Sequence, residues 1–109
     1  MLRLLRNRYH RNVANPAENG GLGFRVSPDV KASLHPEGVV LIHHGRGTVF
    51  SANLVGAMIW NGALERWSIQ KLTESISNRF QISPQTAQQD TAAFLSQLEA
   101  EGLLIPDPT

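Results

Sequence analysis

Four groups of residues in this 109-residue chain have types and spacings that raise a question of chemistry. The first is His43-His44, with His35 and His10 elsewhere. Neighbouring residues of a strand point to opposite faces, so the pair cannot chelate one ion. No HxxxH spacing and no cysteine completes a metal site around them. One of the two is expected to be partly buried and the other wet. The second group is the serines. A nucleophilic serine needs a base that is itself oriented, and none here lies in a G-x-S-x-G setting. The third, Asp90, Glu99 and Glu101, shares one helix among Gln and Ala, as on a solvated face rather than as an acid and a base. The fourth, Gly45-Arg46-Gly47, is too short for a phosphate loop and no Lys-Ser/Thr follows it. These residues predict no enzyme, no metal and no cofactor.

Bulk properties bound the fold that carries them. With 41% hydrophobic and 17% charged residues the chain reads as one globular domain. Residues 1–23 are expected to be a flexible basic arm, 24–105 the domain and 106–109 a short tail. Arg3, Arg6, Arg8 and Arg11 are opposed by Glu18 alone before Phe24, and beyond it acids slightly outnumber bases. Asn12 to Gly23 is linker, with Pro16 and three glycines against regular structure. The absence of cysteine fits a reducing, cytoplasmic setting. No apolar run approaches the roughly 20 residues of a membrane span, and arginines interrupt the leucines where a signal peptide would need a core. No membrane partner is expected.

Val39 to Trp60 organises the rest. Val39 to His44 is an apolar, β-branched strand whose two faces both predict cover. Gly45-Arg46-Gly47 makes a tight hairpin, and Thr48 to Ala52 returns antiparallel. Asn53 caps a helix that Asn61-Gly62 is expected to end. Before this unit, Phe24 to Val26 reads as a short strand and Lys31 to Leu34 as an extended piece. After it, Ser68 caps a helix with Ile69, Leu72, Ile76 and Phe80 at helical spacing. Ser83-Pro84 opens a third, with Ala87, Thr91, Phe94, Leu95 and Leu98 as its inner stripe. Gly102 is its expected C′ residue, and IPDPT stops regular structure. The fold class is α+β: a three-stranded antiparallel sheet followed by three helices, winged helix-turn-helix-like.

A winged helix suggests a nucleic-acid-binding protein. However, Pro84 to Glu101 carries three carboxylates and no Lys or Arg, the wrong sign for a phosphate field. Nucleic acid is therefore the alternative, not the first reading. The Thr48–Ala52 strand offers another. Its outer edge has no later strand to pair with, and TVFSA contains no lysine or proline to block it. Such an edge is a template for an extended peptide, with the third helix as groove floor and Asp90 and Gln97 as polar contacts. Equally, the arm or the second copy of a homodimer could shield it. The residues alone leave both open.

FRVSPDV, VVLIHHGRGTVFSANLVGAMIW and QDTAAFLSQLEAEGLL, in that order, resemble the PqqD family. These are small chaperones that recognise leader peptides of ribosomally made, modified peptides. The likeness spans Phe24 to Leu104, and SANLVGAMIW looks closest to stand-alone members of lasso-peptide pathways. It implies a non-catalytic recognition domain whose leader adds antiparallel to the third strand at Thr48, Val49, Phe50 and Ser51. Thr91, Phe94, Leu95 and Leu98 would lie opposite, with Asp90 before that stripe. A separate modifying enzyme or leader protease would receive the peptide. Two positions depart from the family pattern: Thr91 stands where an aliphatic residue is usual, and Ala52 where leucine is frequent before Asn53.

Overall fold

The computed structural model describes residues 5, 6 and 23–107. Its elements are β1 (Leu5–Arg6), β2 (Phe24–Val26), β3 (Val30–His35), β4 (Gly38–His43), β5 (Thr48–Asn53), α1 (Leu54–Leu64), α2 (Ile69–Phe80), α3 (Pro84–Ala100) and β6 (Leu104–Pro106). The main sheet has the order β1-β5-β4-β3, all antiparallel, and β2 pairs with β6 in a separate ribbon. The α+β class, with a three-stranded sheet β3-β4-β5 leading into three helices, is as the sequence predicts.

Alternation sorts the β-residues. Val39, Leu41 and His43 of β4 are buried, as are Thr48 and Phe50 of β5. The helices cover this side only. Expected cover on the second face of β4 is absent: Ile42 is 36% exposed and Val49, its partner on β5, 38%. A single antiparallel sheet needs just one face against the core, so an apolar run need not be buried on both.

Each helix begins on the residue its cap predicts. Asn53 Oδ1 accepts from the Gly56 N–H at 3.0 Å, Ser68 Oγ from Lys71 at 3.1 Å and Ser83 Oγ from Thr86 at 3.2 Å. Each takes up an amide that would otherwise have no intrahelical partner. Ala87, Thr91, Phe94, Leu95 and Leu98 all face inward and join Ile59, Trp60, Leu72 and Ile76 in one core.

Two boundaries differ from expectation. Helix α1 does not end at Asn61-Gly62 but continues to Leu64. Gly62 is a packing glycine: a β-carbon there would lie 2.7 Å from Leu72 Cδ1, a buried atom of α2. The chain turns at Arg66 instead, with φ 63°, and the Trp67 N–H returns to the Gly62 carbonyl at 2.9 Å. The C-terminal residues also do more than stop. Leu104–Pro106 pairs with Phe24–Val26, and the Asp107 N–H donates to the Gly23 carbonyl at 3.1 Å. The Asp107 carboxylate, buried, pairs with Arg66. Three residues are too few for periodicity to announce a strand.

Candidate peptide-binding site

Strand β5 pairs with β4 along its whole length, from Thr48 opposite His43 to Asn53 opposite Gly38. Its other edge is the one the sequence left without an internal partner. The structure gives it one: β1 lies antiparallel there, with Leu5 opposite Ser51 and Arg6 opposite Phe50. The rest of the arm lies outside the described residues.

Two contacts set α3 beside β5. At the hairpin end, Arg46 Nη1 donates to the Glu101 carbonyl at 3.1 Å, placing a cation on the negative end of the α3 dipole. Its guanidinium lies against Gly102, whose φ of 75° and lack of a side chain make room for it. At the other end, Gly56 on α1 is pressed between β5 and α3. A β-carbon there would lie 2.6 Å from Ala52 Cβ and 3.0 Å from Phe94 Cζ. The start of β5 is thus tied to the end of α3, and the end of β5 to its middle. The atom of residue 52 that Gly56 approaches is its β-carbon.

The expected site residues divide by exposure. Val49 is exposed, while Ser51 and Asp90 are half-buried. Thr48, Phe50, Thr91, Phe94, Leu95 and Leu98 are closed to solvent. The Thr48 and Thr91 hydroxyls have no hydrogen-bond partner, a cost normally avoided inside a protein. An open pocket of about 410 Å³ adjoins the far end of β5, between Ser51-Ala52 and the His35–Val40 turn. No residue of α3 lines it.

His43 is buried behind the hairpin, whereas His44 is exposed, as the alternation predicts. Burial lowers the His43 pKa and the nearby Arg46 cation lowers it further, with Asp29 and the Gly102 backbone opposing. Its Nδ1 accepts from the Arg46 N–H at 3.3 Å, so the neutral ring helps shape the turn. Among the described residues no group of three or more His, Cys, Asp or Glu could hold a metal ion. Nor is any helix among them long and apolar enough to cross a membrane.

Residues 38–104, well over half of the chain, match the family described as coenzyme PQQ synthesis protein D (PqqD). The chain belongs to the PqqD family. The matched stretch begins at β4 and ends at the first residue of β6, so it contains β5, α1, α3, Arg46 and Gly56. Among solved structures the chain is similar to TbiB1 in complex with the TbiA(beta) leader peptide. Identity is 28% and the TM-score 0.68, over 73% of this chain and 93% of that one. It also shares the fold of a lasso peptide synthetase B1 complexed with its leader peptide, at 23% identity and a TM-score of 0.70, over 76% of this chain and 98% of that one. Comparison with curated proteins gave no match.

Shielding by the arm was one of the two readings the residues left open, but which residues of the arm would pair, Leu5–Arg6, was not legible. Two residues carry no pattern, and the available signal was indirect: a strand edge with no blocking residue, in a chain with an arm long enough to reach it.

Proposed function

We propose that this PqqD-family chain binds the leader of a ribosomally synthesised precursor peptide by strand addition to β5. It is a non-catalytic recognition domain of the lasso-pathway type. It works in the cytoplasm and delivers the peptide to a separate modifying enzyme or leader protease. The observation that carries this reading is the outer edge of β5, which already accepts an antiparallel extended segment. Family membership, and the likeness to a TbiB1 chain held with a leader peptide, point the same way.

Backbone pairing alone is not enough. Each hydrogen bond contributes about 1 kcal/mol net, so four or five give about half of the ~8 kcal/mol of a micromolar complex. Apolar contact must supply the remainder, at about 25 cal/mol per Å² buried. Thr48, Val49, Phe50 and Ser51 provide the pairing strand in this proposal, and Asp90, Thr91, Phe94, Leu95 and Leu98 the facing wall. Val49, Ser51 and Asp90 meet the peptide at the surface, while the buried members hold the wall in place.

The test is a titration of the full chain with a fluorescently labelled precursor leader peptide. Val49→Pro, checked for folding by circular dichroism, is expected to weaken binding at least tenfold, because proline cannot donate to a ladder. A folded Val49→Pro protein that keeps wild-type affinity would sink strand addition.

A further inference from the structure

We infer that the segment at Leu5–Arg6 is a built-in competitor that closes the β5 edge until a precursor peptide displaces it. The inference rests on the proposed strand addition and concerns how that site is regulated. A strand edge accepts one partner at a time. Leu5 opposite Ser51 and Arg6 opposite Phe50 take up the centre of the surface on which a leader would pair, in the antiparallel sense.

The remaining features fit a cover that is meant to come off. The opposite edge of the sheet, β3, carries Lys31 and exposed polar residues, a common protection against stray pairing. β5 has no lysine and no proline, and shows Val49 to solvent. Its protection is the arm. In sequence the two parts differ in sign: before Phe24 there are four arginines and one glutamate, and from Phe24 onward eight acids and six bases. Among the described residues the pairing is two residues long.

Seventeen residues, 7 to 23, join β1 to β2. By length alone, seventeen residues in the random-chain limit span about 20–25 Å r.m.s., which corresponds to an effective concentration on the order of millimolar. A short segment with weak intrinsic pairing can therefore occupy the edge for most of the time. A peptide that binds in the micromolar range displaces it, and chance extended segments with millimolar affinity do not. The arm thus sets an affinity threshold. If the edge is open for about one-tenth of the time, every incoming peptide binds roughly tenfold more weakly than to an open edge.

The experiment uses the full chain and, as probe, a fluorescein-labelled synthetic peptide of residues 1–11 followed by anisotropy. Replacing Leu5→Pro and Arg6→Pro together removes the one N–H of the two that points at β5 and fixes the backbone of both residues. The doubly substituted chain is expected to bind the probe about tenfold more tightly than the wild type; equal affinity overturns the proposal. A second variant, Leu5→Cys with Ser51→Cys, joins directly opposed positions in a chain that has no other cysteine. Oxidation should abolish probe binding and reduction restore it. Failure to cross-link, or binding unaffected by oxidation, also overturns the closure. The two readings fail separately. A leader that binds neither form, while the probe binds the proline variant, removes the proposed function and leaves the arm contact standing. A leader that binds wild type and proline variant equally does the reverse.

Discussion

The Thr91 hydroxyl on α3 is buried without a hydrogen-bond partner. Valine has nearly the same shape and no polar atom to desolvate. Thr91→Val should therefore raise the unfolding free energy by about 1 kcal/mol, seen as a higher urea midpoint with an unchanged slope. Weaker leader binding in the same variant would mean that the hydroxyl is held for the peptide. Gly56 presents the opposite case. Alanine would gain about 1 kcal/mol in helix propensity, but its β-carbon would fall 2.6 Å from that of Ala52. Crowding should win, for a net loss of about 1–2 kcal/mol. Ala52→Gly in the same chain should recover much of that loss, and a double-mutant cycle in urea measures the coupling. Phe50, 1% exposed, belongs to the core, so substitutions there report on folding before they report on binding.

Among elements, β5 has a strand on each edge, β4 and β1, and α1 continuing from its end, with Gly56 of α1 lying between Ala52 and Phe94 of α3. The Arg46 bond to the Glu101 carbonyl holds the hairpin against the last turn of α3. Arg46→Met keeps the aliphatic stem and loses this charge-assisted bond, which should cost about 1–2 kcal/mol. The loss should be local. Hydrogen exchange is expected to speed up at Leu103, whose N–H bonds to the Leu98 carbonyl at 2.9 Å, before it changes in α2. All three helices close with such a return bond: Trp67 to Gly62, Ile82 to Ser77 and Leu103 to Leu98. The residues with positive φ at these turns are Arg66, Gln81 and Gly102. Only the last is a glycine, and only that end reads correctly from composition.

Across the whole molecule, stability responds to pH through His43. Folding lowers its pKa, so the unfolded chain binds the extra proton more readily. The contribution of the neutral ring is complete above the ordinary value of 6.5 and is lost as pH falls through the lower folded value. The melting temperature should thus decline below about pH 6.5, and His43→Gln should flatten that part of the profile. Arg46 and Asp29 flank the ring with opposite charges and bear on its titration from the hairpin and from the turn before β3. The sheet meanwhile keeps its outer face, Ile42 and Val49, open. The arm segment guards the edge of β5, not this face.

Local chemistry was readable from the residues. A hydroxyl or amide one position before a helix bonds to that helix's first turn, so Asn53, Ser68 and Ser83 declared their roles without the rest of the fold. The inner stripe of α3 follows from a repeat over about three turns, and the opposite fates of His43 and His44 from strand alternation. Neighbours along the chain determine all of these. What the tertiary structure decided were choices between distant partners. Leu104–Pro106 joins Phe24–Val26, α1 runs through Gly62 because Leu72 needs the space, and Leu5–Arg6 takes the edge of β5. Pairings two or three residues long leave no periodic trace, and their energies depend on which other edges the fold leaves open.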